Sequence, residues 1–320
     1  MAMSPTTTAS AAGQVRFVTF GCKANQYDTQ VLREALLRRG WNEGGRASHG
    51  DTAAGEDVLV VNTCTVTAEA GRKARQLIRR AAREAPRTRV AVTGCLAESE
   101  PELLRELPNV EWVFGNGEAK LPARFLELLT GEKVSPEELG IPSGITEFAG
   151  HTRAFLKIQD GCDKSCAFCI IPSVRGKSRS RTIPELCAEV HRLLVAGHRE
   201  VVLCGIHIGL WGVDLLPASS LSELIEALAA VEAEDAEGRS IPWRLRLSSI
   251  EATEVDGRLL ALMAARPDRV AAHLHMPMQS GSNEVLRTMN RWYDVPEYLA
   301  SVERVQRALD LPALSADILV

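Results

Sequence analysis

Three cysteines fall within eight positions in the stretch Gly161-Cys162-Asp163-Lys164-Ser165-Cys166-Ala167-Phe168-Cys169, spaced x3 and then x2. A structural zinc ion takes four ligands, usually in paired C-x2-C units. The nearest candidate for a fourth is His151, and it lies before the strand that leads into the triplet. Three thiolates suit a 4Fe–4S cube better: they hold three irons and leave the fourth open to a small chelating ligand. A ferredoxin-like electron carrier is the alternative, although such carriers usually add a fourth cysteine.

A second set of thiols is dispersed. Cys22, Cys64 and Cys95 each follow a short apolar run, at residues 15–20, 57–61 and 89–93. Residues 29–39 and 69–84, between the runs, have helical spacing. Strand, helix, strand, helix, strand predicts an α/β fold with an open parallel sheet. The loops at the carboxyl ends of such strands share one edge, where ligands bind. Three distant thiols then converge on that edge; ordinary core packing of cysteine is the competing reading.

Residues 129–150 are rich in Gly, Pro, Glu and Ser and read as a linker between a domain at 15–128 and a second at 151–320. In the second, strands are expected at 154–159, 200–204, 244–248, 271–276 and 314–320. Helices fit at 183–196, 221–234, 255–265 and 295–309. This is the pattern of a partial (β/α)6 barrel, with its site at the carboxyl ends of the strands. Those ends carry the triplet, Cys204-Gly205-Ile206-His207, Ser248-Ser249-Ile250-Glu251 and Gln279-Ser280-Gly281-Ser282. Glycine allows close backbone approach, and Ser, Glu and Gln can hydrogen-bond a ribose, an amino acid or an adenine. Ser282 and Thr253 read equally well as helix caps. Cys187 and Cys204 are expected in the core. His273 and His275 share one face of a strand, and neither reads as a metal ligand.

The 320 residues bound this to about two domains. Hydrophobic residues make up 45% and aromatics only 5%, so aliphatic side chains must fill the core. A formal charge of −4 excludes a generally basic nucleic-acid binder, so any such site must come from local clusters. One cluster is Arg72, Lys73, Arg75, Arg79, Arg80, Arg83, Arg87 and Arg89, read equally as a solvated helix face or as an RNA contact. The other is Arg175, Lys177, Arg179 and Arg181, beside the triplet, where contacts to RNA phosphate are favoured. Without an apolar run of 18 residues no membrane span is expected. Residues 1–14 read as a disordered lead-in and not as a signal peptide. A cytoplasmic setting with reduced thiols follows. The chain ends on an apolar strand, which reads as a fragment with an incomplete barrel.

The triplet, with Phe168 just before its third cysteine, resembles the radical S-adenosylmethionine superfamily. The resemblance implies that the amino and carboxylate groups of S-adenosylmethionine chelate the open iron. It further implies that one electron yields a 5′-deoxyadenosyl radical able to abstract hydrogen. By the same resemblance, Phe168, Gly205, Ser248, Glu251 and Gln279 are the candidate cofactor-binding residues. Two triads, one per domain, narrow the likeness to the methylthiotransferases. The matching stretches are Gly21-Cys22-Lys23-Ala24-Asn25-Gln26-Tyr27, Asn62-Thr63-Cys64-Thr65-Val66-Thr67, Thr93-Gly94-Cys95, residues 161–172 and Gln279-Ser280-Gly281-Ser282.

That family implies a second 4Fe–4S cluster on Cys22, Cys64 and Cys95, carrying the sulfur to be inserted. Its members add a small C-terminal RNA-binding domain, which is not expected within these 320 residues. The Cys-Lys-x-Asn-Gln-Tyr and Cys-Thr-Val-Thr forms resemble the branch acting on threonylcarbamoyladenosine in the tRNA anticodon stem-loop, adding a methylthio group at C2. Implied partners are an electron donor such as flavodoxin or ferredoxin and a sulfur donor. The competing functions are action on isopentenyladenosine in tRNA, action on an aspartate of a ribosomal protein, or electron transfer without catalysis.

Overall fold

Two strands of this chain, Val58–Thr63 and Glu200–Cys204, are buried along their whole length. Strands covered on both faces by helices read this way in parallel sheets. The computed structural model describes residues 13–44, 57–117, 120–140 and 143–319. The expected lead-in lies outside the described residues up to residue 12, and Gln14 already opens the first strand. The chain forms two units, residues 1–141 and 142–320.

In the first unit the order is β1 (Gln14–Thr19), α1 (Lys23–Arg38), β2 (Asn42–Glu43), β3 (Val58–Thr63), α2 (Ala68–Glu84), β4 (Arg89–Gly94), α3 (Cys95–Ser99), α4 (Pro101–Arg105), β5 (Val110–Phe114), α5 (Pro122–Thr130) and α6 (Pro136–Leu139). The strands lie in the order β2-β1-β3-β4-β5, all parallel. Alternation along β3 divides the core. Val58 and Val60 join Leu32, Leu36 and Phe125 on one face, while Leu59 and Val61 join Leu77, Ile78 and Leu96 on the other. Helices on both faces therefore clamp an open parallel sheet, as the alternation predicts.

Helix α1 starts six residues earlier than apolar spacing suggests. Its first turns bury Asn25, Asp28 and Thr29, polar residues that hydrophobic periodicity does not register. The short elements β2, α3, α4, β5 and α5 also carry too little periodicity to stand out.

The second unit runs β6 (Ala154–Lys157), β7 (Gln159–Asp160), α7 (Ile171–Arg175), β8 (Arg179–Ser180), α8 (Ile183–Val195), β9 (Glu200–Cys204), α9 (Leu221–Ala229), β10 (Arg244–Leu247), α10 (Gly257–Ala265), β11 (His273–His275), α11 (Asn283–Thr288), α12 (Val295–Ala308) and β12 (Ala313–Ser315). Parallel pairing joins β6 to β9, β9 to β10 and β11 to β12. Parallel bridges at Leu245–Val270 and Ser249–His275 carry the wall from β10 to β11. The result is an open arc of five parallel strands among the described residues, a partial barrel of βα units. Capping boxes at Ser220/Glu223 and Asp294/Glu297 start α9 and α12. The antiparallel pair β7–β8 closes the base of the loop that holds the cysteine triplet.

One backbone position in the first unit is especially constrained. Gly94 joins β4 to Cys95 with φ 96° and ψ −166°, a region essentially closed to other residues. A Cβ there would stand 2.7 Å from the Thr63 amide nitrogen and closer still to the Thr63 carbonyl oxygen. Gly94→Ala is expected to destabilise the chain by at least about 1–3 kcal/mol. Urea unfolding reads this directly, and an unchanged midpoint would contradict the constraint.

Candidate cluster sites

The triplet loop leaves β7 through Gly161, at φ 73°, whose Cα lies against the Lys177 carbonyl. No side chain fits there. Cys162, Cys166 and Cys169 then line one cleft of about 500 Å³ together with Lys177. Burial raises the Cys162 thiol, but hydrogen bonds from His207 and from the Lys164 amide outweigh it, and its pKa is lowered. Burial raises the Cys169 thiol, with Cys166 and Cys162 adding to the rise. Three thiols that feel one another in one cleft are a soft donor set suited to iron–sulfur ligation. Among the described residues no three His, Cys, Asp or Glu side chains close on a single ion. A cubane asks for something else, one thiolate on each of three irons.

Residues far away in sequence hold this loop. The Ala167 amide donates to the Met289 carbonyl at 3.0 Å, and Asn290 Nδ2 donates to the Ser165 carbonyl at 2.8 Å. Arg291 Nη1 donates to Cys166 Sγ at 3.3 Å, while its Nη2 donates to Glu251. Burial raises the Glu251 carboxyl, with Arg291 offsetting part of the rise. Arg291 resists its own desolvation through Glu251 and stays protonated. On the other side, His207 Nδ1 lies 3.5 Å from Cys162 Sγ and its Nε2 lies 2.6 Å from Glu254 Oε1. Burial lowers His207, but the bonds to Cys162 and Glu254 prevail and raise it to about 9. Gln159 Oε1 accepts from the Ile206 and His207 amides, and its Nε2 donates to the Gly161 carbonyl, fixing both loops. Trp292 stacks on His207 and carries Lys164 Nζ and Arg291 Cζ each at 4.3 Å from its ring centroid.

Of the candidate cofactor residues, Phe168 sits exposed within the triplet loop, and Glu251 is linked to Cys166 through Arg291. Ser248 follows β10 directly, and its amide donates to the Leu203 carbonyl. Gln279 adopts φ 66° and bridges to Ile318. Gly205 has a structural duty, since a Cβ there would come 2.9 Å from the Gln159 carbonyl. Ser282 caps α11 by accepting from the Val285 amide, whereas Thr253 caps nothing and accepts from Trp292 Nε1. Cys204 is buried and Cys187 half-buried on α8.

The basic cluster beside the triplet needs correction. Arg175 is 3% exposed, and its guanidinium donates to Asp160 Oδ1 at 2.7 Å. It is an internal ion pair and not a surface for phosphate. Arg181 donates to the Lys157 carbonyl and pairs with the buried Glu189 at 2.6 Å. Lys177 and Arg179 are exposed. His207 and Arg291 were not singled out by sequence reasoning. The signals were, for His207, its place in the strand-end stretch Cys204-Gly205-Ile206-His207 and, for Arg291, the dense polar and aromatic run Asn290-Arg291-Trp292-Tyr293 after α11.

In the first unit Cys22, Cys64 and Cys95 follow β1, β3 and β4, three neighbouring strands of the sheet. Cys22 is exposed at the start of α1, while Cys64 and Cys95 are 5% and 1% exposed. Polar side chains stitch the three loops. Asn25 Nδ2 donates to the Phe20 and Thr63 carbonyls, at 3.0 and 2.9 Å. Asn62 Nδ2 donates to the Asn25 carbonyl at 2.9 Å, and Thr63 Oγ1 donates to the Thr93 carbonyl at 2.6 Å. Gly21, at φ 102°, lets the Cys22 loop reach Cys64: a Cβ on it would lie 2.9 Å from Cys64 Sγ. An all-thiol set on one sheet edge fits an iron–sulfur group by its chemistry.

A thiol triplet clasped at the mouth of a parallel βα arc defines a domain of the radical S-adenosylmethionine type. Known proteins bear this out. Residues 156–315 match the model of the Radical SAM superfamily, and residues 14–115 match that of uncharacterized protein family UPF0004. A Bacillus subtilis protein named threonylcarbamoyladenosine tRNA methylthiotransferase MtaB is 36% identical, over 96% of this chain and 66% of its own length. The protein of the same name from Aquifex aeolicus is 34% identical, over 96% and 73%. A tRNA-2-methylthio-N(6)-dimethylallyladenosine synthase from Anaeromyxobacter dehalogenans is 34% identical, over 94% and 63%. The chain thus spans about two thirds of the length of these relatives.

Among solved structures, the cobalamin-dependent radical enzyme OxsB with aqua-cobalamin and S-adenosylmethionine bound aligns at TM-score 0.62 and 13% identity, over 96% of this chain and 49% of its own. The radical methyltransferase TsrM from Kitasatospora setae, with cobalamin and a [4Fe-4S] cluster bound, aligns at TM-score 0.60 and 16% identity, over 95% and 69%. These two likenesses concern the fold. The chain belongs to the radical S-adenosylmethionine methylthiotransferase family.

The Arg291–Glu251 pair is enclosed, with side chains 3% and 15% exposed. Removing one partner of such a pair strands the other charge. Arg291→Gln is expected to cost about 3–5 kcal/mol in urea unfolding. Adding Glu251→Gln should return most of that loss. If the double variant unfolds no later than the single one, the pair is not what holds this wall.

Proposed function

We propose that this chain carries the catalytic part of a tRNA methylthiotransferase. It inserts a methylthio group at C2 of N6-threonylcarbamoyladenosine beside the anticodon, using two 4Fe–4S clusters and S-adenosylmethionine. The observation that carries the reading is the pair of cysteine triads, each at the carboxyl edge of its own parallel sheet. Cys162, Cys166 and Cys169 would hold one cluster, and Cys22, Cys64 and Cys95 the other. When bound, cluster and S-adenosylmethionine supply the one-electron chemistry that activates an otherwise inert C–H bond.

The protein's own residues do the positioning. Arg291 donates to Cys166 Sγ, and His207 against Cys162 helps hold that thiol below its usual range, which favours the thiolate that ligation requires. Ser248, Glu251 and Gln279 offer polar groups at the strand ends for the amino acid, ribose and adenine of the cosubstrate. Lys177 and Arg179 offer exposed positive charge to RNA phosphate. The names of the Bacillus and Aquifex relatives support the threonylcarbamoyladenosine branch, as do the Cys22 and Cys64 motifs. Similarity to the Anaeromyxobacter synthase makes dimethylallyladenosine the second reading. Partners in this scheme are the tRNA anticodon stem-loop, a flavodoxin or ferredoxin as reductant, and a sulfur donor. No described helix is long and apolar enough to cross a membrane, and a cytoplasmic site of action suits a tRNA substrate.

Anaerobic reconstitution tests the cluster assignment. About eight irons per chain are expected, falling to about four in Cys166→Ala and to about four in Cys64→Ala. About four irons in the parent, all lost in Cys166→Ala, would remove the second cluster. Nucleoside mass spectrometry of tRNA after incubation with S-adenosylmethionine and dithionite decides the substrate. A methylthio gain on threonylcarbamoyladenosine is expected, and a gain on dimethylallyladenosine alone would transfer the chain to the sister branch.

A further inference from the structure

The most concentrated run of positive charge in the sequence lies on α2 and the segment that follows it. Residues 72–89 hold eight basic residues and one acid, a net of +7 in a chain of net −4, so everything else carries −11. Most of these side chains project from α2, whose other face buries Ala74, Leu77, Ile78 and Ala81. Arg72, Arg75, Gln76, Arg79 and Arg83 line one shallow cleft of about 450 Å³ on its outer face. They recur once per turn, roughly every 5.4 Å along the axis.

The local acids account for only part of this charge. Glu69 pairs with Arg72 and Lys73, Glu84 with Arg80, and Glu100 stands 4.0 Å from Arg75. Arg79, Arg83 and Arg87 are exposed and have no acidic partner among the described residues. Like charges at i and i+4, as in Arg75–Arg79 and Arg79–Arg83, oppose helix formation. Stability alone therefore disfavours the row. Protein-binding faces centre on apolar or aromatic anchors, and this cleft has none among its lining residues. An adjoining cleft of about 530 Å³ has Thr65, Thr67, Arg75 and Arg79 in its lining, along with Glu100, Glu106 and the aliphatic Leu96, Leu103 and Leu107. Its hydroxyl and guanidinium groups are of the kind that contact a sugar–phosphate backbone.

We propose that the outer face of α2 binds the sugar–phosphate backbone of the RNA substrate, with Arg79 and Arg83 as its principal contacts. The proposal rests on the tRNA reading above and extends it to the first unit. These contacts fix the position of the RNA and read no base, so their signature is in the salt dependence of binding.

The test is fluorescence anisotropy of a labelled anticodon stem-loop RNA with the reconstituted full chain, from about 50 to 200 mM KCl. Each phosphate contact contributes about 0.7–0.9 to the slope of log affinity against log salt. Arg79→Glu with Arg83→Glu is expected to lower affinity about tenfold or more at low salt and to flatten the slope by about 1.5. Arg79→Gln with Arg83→Gln should flatten it equally with a smaller affinity loss, which separates charge removal from misfolding. Arg307→Glu, an exposed basic site on α12, should match the parent. Both double variants binding like the parent, in affinity and slope, would overturn the proposal and leave the tRNA reading standing. Failure of the parent itself to bind this RNA at any salt would overturn both. Loss of binding to an acidic flavodoxin, with RNA binding intact, would reassign the face to a protein and also overturn it.

Discussion

Thiols on separate loops can share one inorganic group only if the backbones carrying them come closer than ordinary side chains permit. In the first unit Gly21 and Gly94 provide that approach, since a Cβ on either would run into the Cys64 loop or the strand before it. Close approach alone would leave backbone carbonyls and amides without partners, which is costly in a buried edge. Asn25, Asn62 and Thr63 resolve this by donating across loops to the carbonyls of Phe20, Thr63, Asn25 and Thr93. Parallel strand pairing sets the three loops side by side, and the amide network fixes their spacing.

In the second unit the problem is charge. Burial and the neighbouring thiols Cys166 and Cys162 oppose ionisation of Cys169. Arg291 meets Cys166 and His207 meets Cys162, and each is itself steadied by a carboxylate, Glu251 and Glu254. The loop is thereby enclosed between two ion pairs whose members come from strand ends and from the segment after α11. Gln159 couples this arrangement to the backbone of both β7 and the β9 loop.

Much of this was readable in advance, and the exceptions share a cause. Strands such as β3, β4 and β9 are aliphatic runs of the expected length, and the three spread cysteines marked the carboxyl ends of β1, β3 and β4. The first turns of α1 escaped notice because Asn25 and Asp28 are buried for their hydrogen bonds and not for apolar area. Arg175 looked like a surface cation because clustering along the chain is blind to Asp160, which claims it. Arg291 meets Cys166 across 125 positions and His207 meets Cys162 across 45, distances at which linear patterns carry no pairing information. Motif spacing singled out the cysteines, while the groups that surround them required the fold.

The place of Trp292 has an optical consequence. Its ring touches His207, Lys164 and Arg291, and those three reach Cys162, the triplet loop and Cys166 respectively. Of the five tryptophans in the chain, Trp211 and Trp243 are buried, with their indole N–H groups bonded to the backbone carbonyls of Arg181 and Val231. Trp292 instead forms part of the wall behind the thiols. Its emission is thus tied to the state of that wall, which gives the protein a native fluorophore reporting on the cysteine-triplet loop without any added label.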